Sequence, residues 1–109
     1  MNMRTIEITG GATPTISIDG VIDIASIPDL HDALTKSISL HPATVVVVDL
    51  DKVVGIDDCA LGVLLGAAAT ARDSGGDVEL LCNSVHLRNR LTRTRLDRAI
   101  TIRTSGDES

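Results

Sequence analysis

The residues best suited to chemistry are adjacent at the start of an apolar segment, where Asp57 and Asp58 precede Cys59. A cysteine at a helix start could act as a nucleophile, because the backbone N–H groups there favour a thiolate and would stabilise an oxyanion. The two neighbouring carboxylates oppose this, since nearby negative charge disfavours a thiolate. No spacing predicts that His31 or His86 lies close enough to be the base. We therefore expect no enzyme activity.

A second thiol, Cys82, ends a predicted strand. Paired with Cys59 at one edge of a sheet, it would form a redox-sensing couple. Alternatively, Cys82 is a small buried apolar residue, the more usual role of a free cysteine in a reducing compartment. None of the three histidines has two-ligand spacing with a cysteine or carboxylate, so we expect no metal and no cofactor.

Composition excludes several classes of partner. The chain has 109 residues, enough for one domain, and it contains no Phe, Trp or Tyr on which bases or sugars could stack. A net charge of -5 opposes non-specific binding to nucleic acid or to an anionic membrane. A basic stretch lies near the end of the chain: Arg88, Arg90, Arg93, Arg95 and Arg98. These arginines either form the solvent-exposed side of a helix and its exit loop or bind a negatively charged partner.

Hydropathy indicates no membrane segment. The longest uncharged stretch, residues 59–71, is shorter than the roughly 20 residues that a spanning helix needs. The N-terminus lacks the apolar run of a signal peptide. We expect a cytoplasmic protein.

Strand and helix patterns alternate along the chain. Residues 5–9 and 15–19 alternate polar and apolar side chains around Gly10-Gly11 and predict a hairpin. A helix should start at Ile27 with Ser26 as its hydroxyl cap. The four consecutive valines within residues 44–50 predict a central strand, with helices on both sides or other layers covering it.

The second predicted helix, residues 59–72, is apolar nearly all round. We expect Gly62, Gly66 and the nearby alanines to let its axis approach the sheet closely, and Gly75-Gly76 to end it. A strand at residues 77–82, a helix capped by Asn83 or Ser84 that runs to about Thr94, and a strand at 99–103 complete the order β-β-α-β-α-β-α-β. This order predicts an α/β fold with a mixed, mostly parallel sheet and helices packed against it. Ligands meet such sheets at the carboxyl ends of the strands, which singles out the loop at residues 53–59.

The order and spacing of several motifs resemble the anti-sigma factor antagonists, whose fold is the sulphate transporter and anti-sigma factor antagonist (STAS) domain. The motifs are residues 18–23 (IDGVID), the strand at 45–50, residues 55–66 (GIDDCALGVLLG) and Gly75-Gly76. The similarity covers residues 5–103. It implies one STAS domain over residues 1–103, followed by a flexible tail at 104–109.

The resemblance implies a binding module without catalytic residues. Such antagonists bind a serine-kinase anti-sigma factor through the second helix and neighbouring loops and so release a sigma factor. The implied contact residues are Asp23, Asp57, Asp58, Cys59, Ala60, Leu61, Gly62 and Leu65. Asp23 matches an aspartate of the family in the loop before the first helix, where it either contacts the partner or caps a local turn.

The family's Asp-Ser-Ser-Gly-like motif is altered in this chain. Alignment on Asp57 places Asp58 at the first serine, Cys59 at the phosphoacceptor and Ala60 at the glycine. A thiol is not a normal substrate for a serine kinase. Three interpretations remain open: an antagonist that is constitutive or differently controlled, an antagonist that senses redox state, and a STAS scaffold in another assembly, such as a transporter-associated or stressosome-like complex. The sequence leaves monomer and weak dimer equally open.

Overall fold

The computed structural model describes residues 5–9 and 13–104. These residues form a five-stranded sheet with the strands in chain order: β1 (Thr5–Thr9), β2 (Thr15–Ile22), β3 (Val45–Ile56), β4 (Asp77–Leu81) and β5 (Thr101–Arg103). β1 pairs antiparallel with β2, and each later pairing is parallel. The connections between parallel strands contain α1 (Ile27–Leu40), α2 (Asp58–Asp73) and α3 (Val85–Arg93). The predicted fold class and element order are confirmed; the hairpin turn at Gly10-Gly11 and residues 105–109 of the predicted tail lie outside the described residues.

The core lies on one face of the sheet. Right-handed crossovers between parallel strands in chain order place every connecting helix on the same face. Val46 and Val48 are fully buried in the core that the sheet shares with the helices, whereas Val45 is partly exposed. The prediction of helices on both sides of β3 is therefore wrong. Val47 is buried on the open face, where its register neighbours are Thr15 and Glu79.

β3 is longer than the sequence predicts. It continues past Leu50 to Ile56, which pairs with Ile22 at the end of β2. Two register shifts between β2 and β3 accommodate the extension. Its polar, exposed residues Asp51 and Lys52 gave this part of the strand the appearance of a loop. The loop before α2 is consequently reduced to Asp57.

The start of α1 differs from the prediction in its cap. A short 3-10 helix, Ile24–Ser26, precedes α1, so Ser26 already has helical backbone angles. The Asp23 carboxylate accepts hydrogen bonds from the Ser26 backbone N–H at 3.1 Å and from its hydroxyl at 2.9 Å. Asp23 is thus the capping residue, and the predicted hydroxyl cap at Ser26 is wrong.

α2 packs on the sheet through alanines and leucines rather than through its glycines. Its buried residues are Ala60, Leu61, Leu64, Ala68 and Ala71. Gly62 and Gly66 are exposed, so the prediction that they bring the helix axis close to the sheet is wrong. Gly75 follows the helix with φ of +89° and confirms the predicted helix end.

α3 begins as predicted. The Ser84 hydroxyl accepts a hydrogen bond from the Leu87 backbone N–H at 3.3 Å, which caps the helix. Leu87 and Leu91 then pack into the core. Across the described ranges, no helix combines the length and the apolar character that crossing a membrane requires.

Candidate functional site

The carboxyl ends of β2, β3 and β4 meet at one edge of the sheet, and α2 begins there. The Asp57 backbone N–H donates to the Ile22 carbonyl at 2.9 Å, which joins the end of β2 to the start of α2. The Asp51 carboxylate accepts from the Asn83 backbone N–H at 2.9 Å and from its side-chain amide at 2.8 Å. These bonds attach the connection after β3 to the end of β2, and the connection after β4 to β3.

The two aspartates at the start of α2 have different surroundings. Asp57 is exposed at the N-cap position, yet among the described residues its carboxylate makes no capping hydrogen bond. Asp58, the first residue of α2, pairs with Arg90 on α3, with 2.6 Å between Oδ1 and Nη2. A helix start also favours the negative charge of Asp58. One of the arginines in the basic stretch therefore belongs to an internal ion pair.

The two thiols lie in opposite environments. Cys59 is exposed beside the aspartates, whereas Cys82 is fully buried in the core, and both are free. Burial raises the pKa of the Cys82 thiol, which is 3.8 Å from the Ser84 carbonyl. Cys82 thus has the environment of a small apolar core residue. Nothing in this arrangement favours a Cys59–Cys82 redox couple, since Cys82 offers no accessible sulfur.

Ala60 and Leu61 cannot present their side chains to a partner. Ala60 is 0% exposed and Leu61 6%, because both face the sheet in the first turn of α2. They extend the buried row that continues through Leu64. The expectation that these two residues contact a partner is corrected here: the sequence run is continuous, but a helix turns successive residues in different directions.

Between Asp58 and Thr70, the exposed residues of α2 are all small or apolar: Cys59, Gly62, Leu65, Gly66 and Ala69. Leu65 is 42% exposed although it is a large aliphatic residue. Apart from the helix backbone and adjacent residues, no described heavy atom lies within 4 Å of a Cβ placed on Gly62 or Gly66. Packing within the described residues therefore does not require glycine at either position.

Three further exposed apolar side chains lie on elements towards the carboxyl ends of the parallel strands, and sequence reasoning missed them. Ile24 follows the end of β2, Val54 lies near the end of β3, and Val85 is the first residue of α3. Their exposed fractions are 74%, 75% and 67%. Each belongs to the sheet edge where α2 starts. We define the edge surface as Asp57, Asp58, Cys59, Gly62, Leu65, Gly66, Ile24, Val54 and Val85.

Other polar candidates have local roles. Asp23, partly exposed, caps the 3-10 helix before α1 as described above. Asp49 accepts a hydrogen bond from the Asp51 backbone N–H at 2.9 Å, a local contact within β3. Within residues 5–9 and 13–104, no three His, Cys, Asp or Glu side chains come together in a metal-binding group.

A groove of about 270 Å³ lies between α1 and α2, and its lining residues include His31, Val63 and Gly66. His31 Nδ1 lies 3.9 Å from Asp32 Oδ1, and His86 is exposed on α3. In the described part of the chain, neither histidine is hydrogen-bonded to Cys59.

Comparison with protein families identifies the chain. The sequence model of the STAS domain matches residues 4–109, nearly the whole length. The chain belongs to the STAS domain family. Comparison with curated proteins gives no match.

Solved structures share the fold. An anti-sigma factor antagonist from Mycobacterium paratuberculosis is similar with a TM-score of 0.83 and 20% identity, over 95% of this chain and 88% of that one. The unphosphorylated anti-sigma factor antagonist SpoIIAA gives 0.77 and 17%, over 98% and 90%. The phosphorylated form of the Bacillus cell fate determinant SpoIIAA gives 0.69 and 17%, over 98% and 94%. At these identities the similarity shows the fold.

Proposed function

We propose that this protein is an anti-sigma factor antagonist. It binds an anti-sigma factor of the serine-kinase type through the edge surface and so releases a sigma factor to the polymerase. Family membership and the likeness to antagonist structures support this function. The observation that carries it is the exposure of large aliphatic side chains around an acidic helix start.

Burial of the edge surface would contribute to binding. Clustered exposed apolar residues mark interaction sites, and each large aliphatic side chain removed from water contributes about 1.5–3 kcal/mol before binding costs. Glycine inside a helix costs about 1 kcal/mol relative to alanine. Because Gly62 and Gly66 meet open space, a partner that approaches the helix backbone closely gives a reason for both.

Phosphorylation does not control this antagonist at the usual position. SpoIIAA is known in phosphorylated and unphosphorylated forms. Here the aligned phosphoacceptor is Cys59, whose thiol is not a normal kinase substrate, and Asp58 beside it carries a permanent charge. A phosphate would add about -1.5 to -2 charge, so the single negative charge of Asp58 disturbs partner binding less than a phosphate would. The antagonist is constitutive or responds to another signal in the bacterial cytoplasm.

Capture of the serine-kinase anti-sigma factor encoded in the same genome tests the interface. Gly62→Arg places a long charged side chain on the edge surface without crowding the fold, since a Cβ there meets open space. We expect it to lower affinity at least tenfold in calorimetric titration. Leu40→Arg is the matched control: Leu40 is 62% exposed at the last residue of α1, towards the opposite end of the sheet. If Gly62→Arg binds the kinase as tightly as Leu40→Arg and wild type do, the proposed interface is rejected.

Incubation with the kinase and ATP tests the regulation. We expect the intact mass of the wild-type chain to stay constant, because a thiol at position 59 accepts no phosphate from a serine kinase. Cys59→Ser should gain one phosphate if the kinase still recognises the segment. Phosphate on the wild-type chain would contradict the assignment. If wild type captures no kinase, the domain is better explained as a scaffold of another assembly.

A further inference from the structure

Arg90 belongs to the basic stretch and lies outside the contact residues that the resemblance implied, yet it reaches one of them. Its side chain crosses from α3 to the first residue of α2, where Nη2 is 2.6 Å from Asp58 Oδ1. The Asp58 side chain is 81% exposed, and that of Arg90 37%. The carboxylate therefore faces outward, while the guanidinium approaches it from the protein side.

The Arg90 head group is partly enclosed. Among the described residues its Nε is buried without a hydrogen-bond partner, and its hydrogen bond to Asp58 is donated by Nη2. These features constrain the position from which the guanidinium can act.

We propose that Arg90 is a positioning residue of the edge surface, acting as the built-in counterion of Asp58. The inference rests on the proposed function. Covering the edge surface with a partner removes water from Asp58, and a desolvated carboxylate without a counterion opposes binding. With Arg90 in place, the charge at the helix start is compensated within the chain, and the partner can cover the surrounding apolar residues.

A double-mutant cycle with the anti-sigma kinase tests the role. Arg90→Gln, which keeps much of the stem, should weaken binding by about three- to tenfold. Adding Asp58→Asn to that variant should restore affinity to within about twofold of Asp58→Asn alone, because no uncompensated charge remains. Arg90→Lys should bind between wild type and Arg90→Gln. A merely structural role predicts no rescue, since removing a carboxylate does not replace lost packing.

The controls separate this inference from the proposed function. Thermal unfolding of all variants should stay close to wild type, because an exposed ion pair contributes little to stability. If wild type binds the kinase and Arg90→Gln binds equally well, or if Asp58→Asn fails to rescue it, the positioning role is overturned while the antagonist function stands. If wild type binds no kinase, the proposed function is rejected, and this inference with it.

Discussion

The two sides of α2 use small and apolar residues in opposite ways. On the inner side Ala60, Leu61 and Leu64 are buried, and their small and branched shapes let the helix pack against the sheet. On the outer side Gly62 and Leu65 are exposed, and a Cβ on Gly62 would meet no described atom within 4 Å outside its own helix backbone and neighbours. The apolar residues of the inner side stabilise the fold. Packing within the described residues does not explain why the outer side is apolar as well. An apolar sequence run therefore does not show which of its members form the core.

Two pairs of glycines repeat this contrast. Gly75 has a positive φ, and a Cβ on Gly76 would lie 2.4 Å from the Thr44 carbonyl oxygen, so the turn after α2 requires glycine. Gly62 and Gly66 lie in regular helix, and a Cβ on either meets open space. The first pair is needed by the fold. The second pair is dispensable to the fold, which is why we assign it to binding.

The largest expected effect comes from Leu61→Arg, next to the proposed interface variant Gly62→Arg. Leu61 is buried in the core, so a charged side chain there should destabilise the protein by about 4 kcal/mol or more. Gly62→Arg should unfold at or slightly above the wild-type denaturant concentration, because arginine is a better helix former than glycine and a Cβ there meets open space. Urea unfolding followed by circular dichroism measures both. A stable Leu61→Arg protein would contradict the division of α2 into two sides.

Gly76→Ala should have the second largest effect. A methyl group 2.4 Å from the Thr44 oxygen and 2.8 Å from its nitrogen forces the backbone to move. We expect a loss of about 2 kcal/mol or more in the free energy of unfolding. The same urea titration measures it. An unfolding midpoint equal to that of wild type would mean that the backbone at Gly76 packs less tightly against Thr44 than the structure shows.

Gly62→Ala gives the smallest change and the sharpest test of the contrast. Stability should rise by about 0.5–1 kcal/mol, because alanine is the better helix former at an exposed position. Kinase affinity should fall severalfold, because the methyl group keeps the partner from the helix backbone. If Gly62→Ala and Gly66→Ala both gain stability and bind as wild type does, the glycines have no role in recognition.

Much of the fold follows from local patterns. Ser84 is followed by a helix that it caps, the valines of β3 form a central strand, and Gly75-Gly76 ends α2. Each signal acts through the backbone conformation of a few neighbouring residues, which sequence expresses directly. The cap at Asp23 was harder to assign, because a 3-10 helix between Asp23 and α1 shifts the capping residue by three positions.

The candidate site was only partly predictable. Its location at the start of α2 follows from the motif, and Cys59 is exposed there. The contribution of Arg90 is not visible in the sequence, because 32 residues separate it from Asp58 and only the packing of α3 brings them together. Ile24, Val54 and Val85 were missed for a similar reason: they lie far apart in the sequence on three different elements, and the parallel strands place these elements at one edge of the sheet.

Sequence alone determined the order of strands and helices and the chemistry available at the start of α2, since both depend on residue type and short-range spacing. Tertiary structure alone decided which residues of α2 face solvent and that a single sheet face carries the core. It also decided that an arginine on another helix meets Asp58. These features depend on the direction in which packed elements turn their side chains, and that direction is fixed only when the helices settle on the sheet.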